Sequence, residues 1–132
     1  MRRIILLTGI VIVLFLENSC QKGPGIGGEA SITGKITGIT YDKKTFTYIL
    51  DSGAVGNLKV NIIYGDDIQV DASQNSSYDG SYDFQYLRDG NYTIFVYSRS
   101  HKTDLYDSAV VVKATLTGKK QVLNLPVIRV YR

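Results

Sequence analysis

The sequence predicts an all-β fold, a Greek-key sandwich of about seven short strands, on three observations. From Ala30 onward apolar residues recur with a period of two, no stretch has helical periodicity, and turn residues punctuate the runs at short intervals. A strand that alternates apolar and polar side chains buries one face only. A single domain of such strands covers its apolar faces most readily by packing two sheets together.

Residues 1–19 have the layout of a signal peptide and are set aside before the core is considered. Arg2 and Arg3 give a positive start, residues 4–16 are apolar apart from Thr8 and Gly9, and Glu17-Asn18-Ser19 precede Cys20. That run is shorter than the roughly 20 residues a membrane-spanning helix needs, and it fits the apolar region of a signal, which is about 7 to 15 residues long. Cys20 is the one cysteine of the chain. Its place behind a small residue and an apolar run resembles the lipobox of bacterial lipoproteins, although Glu17 and Asn18 depart from the commonest form. The resemblance implies cleavage before Cys20, lipidation of its thiol, and an outer-membrane lipoprotein on the periplasmic face or the cell surface. Gln21-Lys22-Gly23 follows the cysteine in place of an acidic cluster, which favours the periplasmic face.

Residues 21–29 hold four glycines and a proline, so they read as a flexible tether between Cys20 and a domain spanning 30–132. Strands are then expected where Ile32, Gly34 and Ile36 alternate with polar residues, at Phe46, Tyr48 and Leu50, and at Leu58, Val60, Ile62 and Tyr64. A short strand is expected at residues 68–70, and others at Tyr82, Phe84 and Tyr86, at Tyr92, Ile94 and Val96, and around Val110 and Val112. Residues 122–131 close the chain, with Pro126 marking an edge strand or a bulge. Turns fall at residues 41–44, 65–67, 79–80, 89–90 and 117–118.

The segment from Tyr78 to Val96 is the richest in structural signals. Asp79-Gly80 and Asp89-Gly90 supply turn positions, and Leu87-x-x-Gly90-x-Tyr92 has the form of a tyrosine corner, in which a hydroxyl at a strand start bonds back to upstream backbone. Gly80, Leu87, Gly90 and Tyr92 are therefore read as structural. Asp-Gly-x-Tyr-x-Phe followed by Leu-x-x-Gly-x-Tyr-x-Ile-x-Val resembles the signature of carboxypeptidase regulatory-like domains, which share a transthyretin-like sandwich. The resemblance covers roughly residues 30–98, with Ile32-Thr-Gly-Lys-Ile-Thr-Gly38 similar to the family's first strand. It implies the fold and an accessory, binding or spacing role on a secreted or outer-membrane protein.

Composition narrows the function classes. Removing residues 1–19, with two arginines and one glutamate, lowers the formal charge from +3 to +2, and the basic residues are scattered, so no nucleic-acid footprint is present. The single histidine, His101, lies in a polar stretch and reads as a solvated loop side chain. Asp66, Asp67 and Asp71, Asp79 and Asp83, and Asp104 and Asp107 follow no recognised calcium-loop spacing. No catalytic constellation or cofactor motif is specified, and the expectation is a non-enzyme without cofactor or metal.

Ten tyrosines and no tryptophan point elsewhere. If Tyr92, Ile94 and Val96 face inward, Phe95 and Tyr97 face outward and, with Tyr41 or Tyr106, offer rings to a sugar or a protein partner. The expected function is an interaction or accessory module of the cell envelope, anchored through Cys20, with glycans or envelope proteins as partners. Direct carbohydrate binding through Phe95, Tyr97 and Tyr106 is the alternative. A hydrolase is a third reading, and it requires a converging histidine or carboxylate pair.

Overall fold

The computed structural model describes residues 22–42, 44, 49–100 and 107–132. Among them are nine strands and no helix: β1 (Ile26–Tyr41), β2 (Ile49–Ala54), β3 (Lys59–Tyr64), β4 (Ala72–Asn75), β5 (Ser81–Leu87), β6 (Gly90–Arg99), β7 (Asp107–Leu116), β8 (Val122–Asn124) and β9 (Ile128–Tyr131). They form two sheets around one apolar core, a β-sandwich.

The first sheet is organised on β1. Its first half pairs antiparallel with β5, and its second half pairs antiparallel with β2. β8 and then β9 run parallel to it. The second sheet has the antiparallel order β4-β3-β6-β7. Ala30, Ile32 and Ile36 of β1 meet Val60, Ile62, Tyr92, Ile94 and Val96 from the opposite sheet, all of them buried. Period-two alternation puts these side chains on inner faces. Gly34 occupies an inner position without a side chain, and the Tyr82 ring fills the space: a Cβ on Gly34 would stand 2.3 Å from the Tyr82 hydroxyl.

The strand count exceeds the expected seven for two reasons. Pro126 divides the closing run into β8 and β9, and the Leu125 N–H bonds to the Thr33 carbonyl at 2.8 Å across the break. The other addition is β4, a polar edge strand with no apolar alternation to announce it. The strand expected at 68–70 is absent. The Asp71 carboxylate accepts the Tyr64 N–H at 2.7 Å and the Asp71 N–H bonds to the Ile62 carbonyl at 3.0 Å, so residues 65–71 turn and Ile68 is left exposed. Phe46 and Tyr48 lie outside the described residues.

The largest correction concerns the glycine-rich segment. Residues 23–29 are not a free tether: β1 begins at Ile26, and the residues before it are docked on the arch between β5 and β6. Arg88 donates from Nε to the Gly23 carbonyl at 2.7 Å and from Nη1 to the Ile26 carbonyl at 2.6 Å. Its own N–H bonds to the Gly25 carbonyl at 2.8 Å. The glycines serve close approach: a Cβ on Gly28 would stand 2.1 Å from the Leu87 carbonyl oxygen. Pro24 lies against Gly90, whose φ of +139° and lack of Cβ leave room for the ring.

Candidate functional site

β6 is a central strand, and its two ends carry different devices. At its start lies the arch that holds the N-terminal segment. The Tyr92 hydroxyl donates to the Arg88 carbonyl at 2.6 Å and accepts the Gly25 N–H at 2.9 Å. This is the geometry of a tyrosine corner, extended by a second bond to the incoming chain. Leu87 is buried beneath it, and Tyr64 meets the Tyr92 ring edge-on at 5.8 Å. Gly80 sits in a separate turn at φ +79°, where Asp79 accepts from the Ser81 N–H and hydroxyl. Those two bonds hold the Asp79 carboxyl below its ordinary value.

The candidate binding site is at the other end of β6. Because Tyr92, Ile94 and Val96 face the core, Phe95 and Tyr97 stand on the outer face, with ring centroids 5.6 Å apart in an edge-to-face contact. Tyr97 is 56% exposed, and Phe95 is half-buried. Tyr97 lines a groove of about 500 Å3 together with Tyr131, Arg99, Asp107 and Arg132, over an apolar floor of Val55, Leu58 and Val130. Tyr131 is itself backed by Tyr41, at 5.4 Å between centroids. Desolvation, and secondly Tyr131, push the Tyr41 hydroxyl above its ordinary value.

The walls are tied together. The Ser98 hydroxyl, buried on β6, accepts the Tyr131 N–H at 2.8 Å and donates to the Arg99 carbonyl at 3.1 Å, which locks β9 to the end of β6. Arg99 and Asp107 are cross-strand partners on β6 and β7. Arg132 lies over Gly38, where a Cβ would stand 2.3 Å from its Nε. Two tyrosine rings, two guanidinium groups and a carboxylate thus surround an apolar floor. A second hollow, about 440 Å3 between Glu29, Gln85, Tyr86 and Lys120, has one aromatic ring and is bordered by the Lys120–Glu29 ion pair at 3.7 Å. It offers less to a planar or ring-shaped ligand.

Of the residues expected to bind, Phe95 and Tyr97 are brought together, while Tyr106 lies outside the described residues, as do Cys20, His101 and Asp104. Tyr41, expected on a loop, ends β1 and packs on Tyr131. Tyr131, Ser98 and Arg132 were not singled out by the sequence pattern. Ser98 had a signal: it takes the next inward slot after Tyr92, Ile94 and Val96, where a polar residue needs a partner. Among the described residues no three His, Cys, Asp or Glu side chains are grouped to hold a metal ion.

No family model matches the chain. No curated protein matches it either. Among solved structures, it is similar to a "putative carbohydrate binding protein" from Pseudomonas aeruginosa, with 14% identity and a TM-score of 0.47 over 82% of this chain and 91% of that one. It is also similar to a minor pilin of Streptococcus agalactiae, with 11% identity and a TM-score of 0.44 over 81% of this chain and 46% of that one.

Proposed function

We propose that this chain is a non-enzymatic, lipid-anchored binding module of the bacterial outer membrane, an accessory to glycan handling whose Tyr97 groove takes a saccharide. The observation that carries this reading is the pairing of two backed tyrosines, Tyr97 on Phe95 and Tyr131 on Tyr41, across one groove. Sugar rings present apolar C–H faces that pack on aromatic rings, and their hydroxyls bond to charged groups such as Arg99, Asp107 and Arg132. Rings already held by a neighbour lose little freedom on binding, which favours affinity. The transthyretin-like motif of residues 78–96 and the signal-like residues 1–19 support the accessory, envelope setting.

Glycan arrays followed by calorimetric titration test the reading. A saccharide should bind the wild-type chain and lose at least about tenfold in affinity, or about 1.4 kcal/mol, in Tyr97→Ala. Flat titrations across plant, host and bacterial glycans would overturn it.

A further inference from the structure

The docked N-terminal segment removes the slack that a tether would supply. Gly23 is already fixed, its carbonyl held by Arg88 at 2.7 Å. Only Gln21 and Lys22 separate it from Cys20, and three extended Cα-to-Cα steps reach at most about 11 Å. The polar layer on each side of a bilayer is itself about 5 to 7 Å thick. A body held so closely cannot stand clear of the headgroups.

Which part of the body lies there follows from where the chain enters. Pro24 packs on Gly65 and Gly90, so the turn after β3 and the arch between β5 and β6 surround the entry point. Lys119, in the turn between β7 and β8, shares a hollow with Gly27 and Arg88. These turns form one pole. The Tyr97 groove lies at the opposite end of β6, and Gly90 and Ser98 are eight residues apart along that strand, or about 27 Å.

We propose that this pole is a docking surface for a phospholipid bilayer, and that seating it there turns the Tyr97 groove away from the membrane. The inference rests on the lipid-anchor reading of Cys20. The pole carries both signs, with Lys119 and Arg88 sharing a hollow with Glu29 and Asp89, and Lys120 paired with Glu29 at 3.7 Å. Covalent reach, not charge, therefore selects the surface.

The chain has no tryptophan, so an introduced one reports its own position. Full-length Lys119→Trp and Ser108→Trp chains, processed in a bacterial host fed labelled palmitate, are reconstituted into phosphatidylcholine vesicles carrying a dansyl lipid. Energy transfer should be several-fold stronger from position 119 than from 108. A six-residue Gly-Ser insertion between Gln21 and Lys22, which leaves every contact of the segment in place, should shrink the difference. Palmitate-labelled protein with equal transfer from both positions overturns the orientation and leaves the anchor standing. Protein without label on Cys20 overturns both.

Discussion

The two ends of β6 contrast a pole built for rigidity with a pole built for contact. At the start of the strand, polar groups turn inward on the backbone: Tyr92 and Arg88 spend their hydrogen bonds on the carbonyl and amide groups of residues 23–26 and 88. At the far end, Ser98 does the internal bonding, and Tyr97 and Arg99 stand exposed on the outer face. The same alternation of inward and outward residues produces both. What differs is that residues 23–26 arrive to take the hydrogen bonds of Tyr92 and Arg88 at the start, whereas Tyr97 is left 56% exposed at the far end.

Substitutions should separate the poles, and the largest effect belongs to the first. Gly28→Ala places a methyl against the Leu87 carbonyl, where only backbone can give way, and should cost about 3 kcal/mol in urea unfolding. Tyr92→Phe removes the bond to Arg88 and leaves the Gly25 N–H without its acceptor. It should cost about 2 kcal/mol while leaving saccharide affinity at the remote groove unchanged. Tyr97→Ala should do the reverse, losing affinity while stability moves by no more than about 0.5 kcal/mol.

Two smaller effects depend on pH. The Tyr82 hydroxyl is buried without a hydrogen-bond partner among the described residues, and burial pushes its pKa up to about 12. The fold thus favours the protonated form. The stability linked to it is complete below the ordinary value of 10.0 and is lost as pH rises through about 12. Tyr82→Phe should lack that alkaline loss and be no less stable at pH 7. The smallest effect is expected at Asp67, whose carboxyl is raised by its hydrogen bond with Asp71 and then by the charge of Asp71. A raised carboxyl contributes stability at low pH that disappears as pH rises through its folded value. Asp67→Asn should therefore raise the Tm slightly at pH 7 and not at pH 3.

How much of this was legible depended on whether a residue type has one use or two. Leu87, Gly90 and Tyr92 have a spacing that only a corner explains, and Asp79-Gly80 has the chemistry of a tight turn. The core followed from alternation, which is why Ile32, Ile62 and Ile94 were placed correctly. Glycine and proline serve flexibility and close packing equally well, so residues 23–28 looked like a linker although Gly28 closes on the Leu87 carbonyl and Gly25 and Gly27 lie against the Arg88 guanidinium. Arg88, which decides between the two uses, is an ordinary arch residue in sequence. The groove was half visible. Tyr97 follows from the phase of β6, whereas Tyr131 joins it only because β9 runs parallel to β1 and is pinned to Ser98, a long-range pairing with no local signal. β4 was missed for a related reason, since its pairing with β3 outweighs the low strand propensity of Ala-Ser-Gln-Asn.

The docked state of the N-terminal segment underlies both the division between the poles and the proposed orientation on a membrane. Amide hydrogen exchange at Gly25 reads it directly. With its N–H bonded to the buried Tyr92 hydroxyl, Gly25 should exchange orders of magnitude more slowly than an unstructured glycine, and should lose that protection in Tyr92→Phe. Exchange of Gly25 at the rate of a free chain in the wild-type protein would contradict the account.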